Sequence, residues 1–170
     1  MDHFERIDGV LHAEDVSLPA IADAVGTPVY VYSQATLQRH ARVFREGLSA
    51  LDDPLIVFAV KANPNLAVLR VLQREGFGAD VVSGGELRRA LAAGISPEKI
   101  VFSGVGKTRA ELELGLDTGI TQFNIESREE GVELAAIAAA RGERARAALR
   151  INPDVDAGTH EKISTGKADN

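Results

Sequence analysis

Apolar runs at residues 55–60, 79–82, 100–102, 122–125 and 147–151 are short and nearly unbroken, which reads as strands buried on both faces. Their starts lie 24, 21, 22 and 25 residues apart. Each gap holds a segment whose apolar residues recur every three or four positions, predicting helices over 66–72, 87–93, 112–116 and 132–140, with Gly94 as the stop of the second. Three of these helices open with a hydroxyl residue three places before a glutamate: Ser83/Glu86, Thr108/Glu111 and Ser127/Glu130. That is the capping-box pattern, in which each side chain satisfies a backbone N–H of the first turn. Residues 1–32 do not share the rhythm. Asp8-Gly9 signals a turn, Val10-Leu11 and residues 29–32 are strand-like, and residues 18–25 predict a short helix closed by Gly26 with Pro28 beyond. A longer helix follows from near Ser33, with Leu37, Ala41, Phe44, Leu48 and Leu51 on one face as far as Asp52-Asp53-Pro54.

Strands apolar on both faces that alternate with helices predict an α/β fold with a parallel sheet covered by helices. An open doubly wound sheet and a (β/α)₈ TIM barrel both fit five units. After Ile151 the chain runs through Asn152-Pro153 into a polar stretch and reaches Asn170 with no helix to close the fifth unit. A barrel needs about 250 residues. The pattern therefore predicts a truncated barrel of about five βα units over residues 33–170, with residues 1–32 belonging to another domain.

Composition narrows the class of partner. Hydrophobic residues make up 45% and charged residues 26%, enough apolar mass for a core and against wholesale disorder. A formal net charge of -6 with no block of Lys or Arg argues against nucleic acid and anionic membranes. The absence of cysteine removes disulfides, thiolate metal sites and a cysteine nucleophile from this stretch. The first residues show no basic segment followed by an apolar run, and no apolar stretch approaches a membrane span, so the expected location is the cytoplasm.

Candidate chemistry collects where strands end. Lys61 closes the first strand, and ligands gather at the C-terminal ends of strands in barrels and open parallel sheets alike. A lysine amine there is placed to form a Schiff base with a carbonyl. Asp80 lies in the second strand, where Asp is disfavoured, ahead of Ser83-Gly84-Gly85-Glu86, whose glycines permit a sharp turn or close approach to a ligand. Glu86 is equally explained as a helix cap. Arg150 ends the fifth strand and offers a fork of donors to an acidic or aromatic-nitrogen partner. His160 lies in the polar tail, where an ordinary solvated histidine is the simpler account. Residues 103–108, ending in Gly106-Lys107-Thr108, imitate a nucleotide-phosphate loop, but the further glycine that loop requires is replaced by Val101. Nothing in the pattern suggests a metal site.

Val60-Lys61-Ala62-Asn63, followed by Asp80-Val81-Val82-Ser83-Gly84-Gly85-Glu86-Leu87, resembles the signature pair of the diaminopimelate decarboxylases. Gly26 to Tyr32, Ser103 to Thr108, Asn124 to Ser127, Leu149 to Asp154 and the Thr159-His160 and Ile163 to Gly166 segments agree with it. The resemblance implies a barrel of the alanine-racemase type with a C-terminal β domain to which residues 1–32 contribute, and a homodimer with active sites at the interface. It implies pyridoxal 5'-phosphate as cofactor, Lys61 as the Schiff-base lysine, and Asp80, Glu86 and Arg150 lining the cofactor pocket, with His160 in an active-site or substrate loop. It implies decarboxylation of meso-diaminopimelate to L-lysine. The 170 residues lack the later groups of such an enzyme, so taken alone they are expected to be inactive. A truncated or non-catalytic pyridoxal-phosphate-binding homologue, and a decarboxylase of another basic amino acid, remain open alternatives.

Overall fold

The computed structural model describes residues 2–154. The amino-terminal strands β1 (Phe4–Ile7), β2 (Val10–Ala13) and β3 (Val16–Ser17) form a small antiparallel sheet in that order. It runs into α1 (Leu18–Val25), whose N-cap Ser17 accepts from the Ala20 N–H, and Gly26 closes the helix as the sequence predicts. Glu14 ties this sheet to α2 (Gln34–Gly47): its Oε1 accepts from Ser33 Oγ at 2.7 Å and from the Ala35 N–H at 2.9 Å. The Ala35 N–H, then the Ser33 hydroxyl, hold the Glu14 carboxyl below its ordinary value.

Two expectations for this region fail. Residues 29–32 form no strand, because none among the described residues lies beside them to offer a ladder, and Tyr30 is 87% exposed. Helix α2 ends at Gly47 rather than at Asp52. Beyond it, Leu48 N–H turns back to Arg45 O and Leu51 N–H to Leu48 O, three-residue turns that take Leu51 off the helical face.

The rest alternates as predicted: β4 (Val57–Ala59), α3 (Leu66–Arg74), β5 (Gly78–Val81), α4 (Gly84–Ala92), β6 (Ile100–Phe102), α5 (Arg109–Thr118), β7 (Gln122–Ile125), α6 (Arg128–Ala140) and β8 (Ala147–Leu149). The five strands are parallel and lie in sequential order, β4-β5-β6-β7-β8. That order decides between the two architectures. Crossovers are right-handed, so strands added always on the same side put every helix on the same face, whereas a doubly wound sheet must reverse its order. The packing agrees. Ala79, Val81, Ile100, Phe102, Phe123 and Ile125 form one core with Leu69 of α3, Leu87 of α4, Leu112 of α5 and Leu134 of α6. Each large side chain buried there contributes roughly 1.5–3 kcal/mol. Gly115 lets α5 approach: a Cβ at that position would lie 2.6 Å from Phe123 Cζ. The sheet thus has the winding of a (β/α)₈ barrel, with the helices packed on one face and Asp80 and Gln122 on the other beside Ala59 and Val101. No helix among the described residues is long and apolar enough to cross a membrane.

The three predicted capping boxes diverge. Ser83, Thr108 and Ser127 each accept from the N–H three residues on. Only Glu111 closes its box, by accepting from the Thr108 N–H at 3.0 Å. Its other oxygen accepts from the Gly84 N–H at 2.8 Å, so Gly84 brings α4 close to α5. Gly84 N–H first, then Thr108 N–H, hold the Glu111 carboxyl below its ordinary 4.5, against the opposing effect of burial. A carboxyl lowered on folding stabilises the folded state above its unfolded pKa, and that contribution is lost as pH falls through the folded value. We therefore expect a loss of stability in acid below 4.5 that is smaller in Glu111→Gln, read from urea midpoints across that range. Thr108→Ala should cost about 1 kcal/mol.

Candidate active site

Paired residues of parallel strands share a face, so Ala59, Asp80, Val101 and Gln122, matched in register, all point inward. Every second residue beyond them does the same. Carried along the strands and past their ends, that alternation brings Val82, Ser103, Asn124, Glu126 and Arg150 to one side. Together with Lys61, Asp80 and Ala148 they line a cavity of about 400 Å³ at the C-terminal end of the sheet.

Lys61 does not extend β4. It sits in a single 3₁₀ turn, Val60–Ala62, closed by the Asn63 N–H on Val60 O at 3.1 Å. Val60 is fully buried and anchors the turn, while Lys61 is exposed. Among the described residues the Lys61 amine has no hydrogen bond and no ion pair. Lys107 is its opposite. The Lys107 side chain is 1% exposed, and its Nζ donates to Gly104 O (2.8 Å), Asn124 O (2.7 Å) and Glu130 Oε1 (2.9 Å). Three donors meet three acceptors, and no lone pair is left for chemistry. The phosphate-loop imitation of residues 103–108 is therefore a buried anchor: its lysine faces the protein, and Glu130, predicted to close a cap, is taken up as the counter-ion.

Asp80 is held from the neighbouring strand. Ser103 Oγ donates to Asp80 Oδ1, Asn124 Nδ2 donates to Ser103 Oγ at 2.9 Å, and Gln122 Nε2 donates to Asn124 Oδ1 at 2.7 Å. An ionised carboxylate only accepts, so Ser103 must donate, and the direction of every later bond in the chain follows. Across the cavity, Arg150 continues the β8 ladder through its N–H to Ile125 O at 3.0 Å, and its guanidinium meets Glu126 Oε2 at 3.1 Å.

Of the residues singled out from sequence, the structure brings Lys61, Asp80 and Arg150 to one cavity. Glu86 is placed elsewhere: its carboxylate accepts from the Val82 N–H at 2.9 Å, as a cap of α4, and it is not among the cavity's lining residues. His160 lies outside the described residues. Ser103, Asn124 and Glu126 escaped notice as site residues. The period-two alternation would have found them, since each is a polar residue on the inward parity of its strand.

An unengaged amine beside a carboxylate and a guanidinium fits a carbonyl compound that carries further charged groups. Comparison with known proteins agrees. Residues 34–170 match the family model described as pyridoxal-dependent decarboxylase, pyridoxal binding domain. The chain is 55% identical over 168 residues to a diaminopimelate decarboxylase of Zymomonas mobilis, covering 98% of this chain and 40% of that protein. It is 55% identical over 171 residues to one of Pseudomonas fluorescens, covering 100% and 41%. The crystal structure of diaminopimelate decarboxylase from Helicobacter pylori complexed with L-lysine superposes with a TM-score of 0.84 at 42% identity, over 89% of this chain and 38% of that one. The chain thus spans about two fifths of the length of these relatives. Pyridoxal 5'-phosphate is the cofactor that the family model implies, and the amine of Lys61, without a partner among the described residues, is placed to hold it. By its inward-facing lysine and by the match across residues 34–170, the chain belongs to the pyridoxal-dependent decarboxylase family.

Proposed function

We propose that the protein carrying this chain decarboxylates meso-diaminopimelate to L-lysine and CO₂, with pyridoxal 5'-phosphate bound at Lys61. The observation that carries the reading is that, among the described residues, Lys61 lines the cavity without a partner, whereas Lys107 is locked away from it. The substrate follows from the relatives' names and from the L-lysine in the Helicobacter pylori complex.

When bound, the cofactor supplies an electron sink for the pair left by departing CO₂. The protein's own groups do the rest. Lys61 is the residue whose Nζ would hold the cofactor through its carbonyl group, and the substrate amine would compete for that same position. Asp80, fixed by Ser103, presents a carboxylate of constant orientation to the cavity. Arg150 presents guanidinium donors opposite it. Residues 1–32 contribute to a β domain and residues 33–170 to the cofactor-binding barrel, a division supported by the separate antiparallel sheet of β1–β3. Glu86 acts on the cavity only through Val82, whose N–H its carboxylate accepts and which lines the cavity, and His160 takes part in substrate binding. The enzyme works as a cytoplasmic homodimer with active sites at the subunit interface.

The test is to supply the full-length protein with meso-diaminopimelate and measure CO₂ and lysine. The expected result is equal amounts of both, with ornithine and arginine turned over poorly. Faster turnover of another basic amino acid, or none of any, would overturn the proposal.

A further inference from the structure

We infer that Glu126 is the positioning residue for Arg150, and that it aims the guanidinium at an anionic oxygen of the cavity's occupant. The inference rests on the proposed reading that this cavity takes the cofactor and substrate.

Glu126 has a side chain only 6% exposed, while that of Arg150 is 43% exposed. A buried carboxylate must be compensated on both oxygens, and here the two have different partners. Oε1 accepts from the Gly104 N–H at 3.0 Å, and Oε2 faces Arg150 Nη1 at 3.1 Å. The first partner cannot move. Gly104 sits at φ +93°, where a side chain is strained, and a Cβ there would lie 3.0 Å from Val82 Cβ. Its carbonyl is held by Lys107 Nζ at 2.8 Å, and that lysine is itself buried against Glu130. The loop is therefore a rigid post, and Glu126 transmits that rigidity to a long, half-exposed side chain that would otherwise sample many rotamers. One terminal nitrogen of Arg150 is used on Glu126. A guanidinium has five N–H donors in a fixed fork, so clamping one edge sets the direction of the rest. An anionic oxygen matches such a fork, and the occupants of the cavity carry three kinds: phosphate and ring phenolate on the cofactor and carboxylate on the substrate.

A double-mutant cycle on the full-length protein tests this, with wild type, E126Q, R150M and the double variant. Two arms are read for each: dissociation constants for pyridoxal phosphate and for pyridoxal by absorbance titration, and the KM and kcat for meso-diaminopimelate. Each single variant should weaken one arm on the order of 10-fold or more, and the double should be no worse than R150M alone. A loss for pyridoxal phosphate but not pyridoxal assigns the oxygen to phosphate; an equal loss for both assigns it to the ring phenolate; a rise in KM with cofactor affinity intact assigns it to the substrate carboxylate. E126Q within about twofold of wild type in both arms, or additive effects in the double variant, would overturn the inference while leaving the functional reading standing. Wild-type protein that fails to bind pyridoxal phosphate sinks that reading and this inference with it. Glu126→Asp, too short to reach Gly104 and Arg150 together, carries the same cycle if E126Q does not fold.

Discussion

Borohydride reduction of the full-length protein loaded with pyridoxal phosphate is expected to leave the pyridoxyl group on Lys61 and on no other lysine. The lysines of the described chain divide cleanly. Lys99 donates to Gly76 O at 3.3 Å and lies beside Glu98, in a groove with Gly76 and Phe77 at the other end of the strands. Lys107 occupies the correct end but has every donor engaged in a buried setting. Lys61 combines the correct end, exposure and an amine without a partner among the described residues. Lys61→Met should therefore lose the reduced label altogether, and turnover should fall on the order of 10³-fold or more, as when other covalent nucleophiles are removed. The loss should be chemical rather than structural, because the side chain of Lys61 makes no hydrogen bond or ion pair among the described residues. Peptide mapping that places the label on Lys99 or Lys107 would show the assignment to be wrong.

The second large effect belongs to the lysine that does no chemistry. Lys107→Met, or Glu130→Gln, should destabilise the fold by about 3–5 kcal/mol, because either change leaves a buried group without its counter-charge. The Lys107 and Glu130 side chains are 1% and 5% exposed. The lysine variant also strips donors from Gly104 O and Asn124 O, loosening the β6–α5 loop and the end of β7 together. Replacing both partners by apolar residues removes the unpaired charge, so Lys107→Met with Glu130→Leu should recover that part of the loss but not the part due to the donors stripped from Gly104 O and Asn124 O. Urea unfolding of the four proteins provides the measurement, with Lys61→Met as the exposed control expected within about 0.5 kcal/mol of wild type. Should Lys107→Met unfold at the wild-type urea concentration, the pair would have no structural importance, and the rigid post assigned to Gly104 would lose its support.

Local pattern determined a good deal of this protein. Strands β6 and β7 and helix α1 appear at the residues their apolar runs and flanking glycine or polar residues mark. The N-caps at Ser83, Thr108 and Ser127 form as their spacing implies. Hydrophobic period and first-turn capping involve residues within four positions of each other, so a single chain carries that information whatever lies across the fold. The position of Lys61 after an apolar strand was likewise visible, and the family resemblance at Val60-Lys61-Ala62-Asn63 gave it a role.

Tertiary structure decided what depends on partners from other strands. The three N3 glutamates look alike in sequence, yet Glu111 closes its cap, Glu86 bonds Val82 N–H, and Glu130 neutralises Lys107 from 23 residues away. Residues 29–32 had strand-forming side chains but no adjacent ladder among the described residues, and a strand cannot satisfy its backbone alone. The choice between barrel and doubly wound sheet rested on strand order, which no local run encodes. Two lysines at strand ends met opposite fates because Lys107 found acceptors on β7, α6 and its own loop while Lys61 found none among the described residues. In each case the deciding contact joins residues far apart in the chain, and only the register between neighbouring strands sets which of them meet.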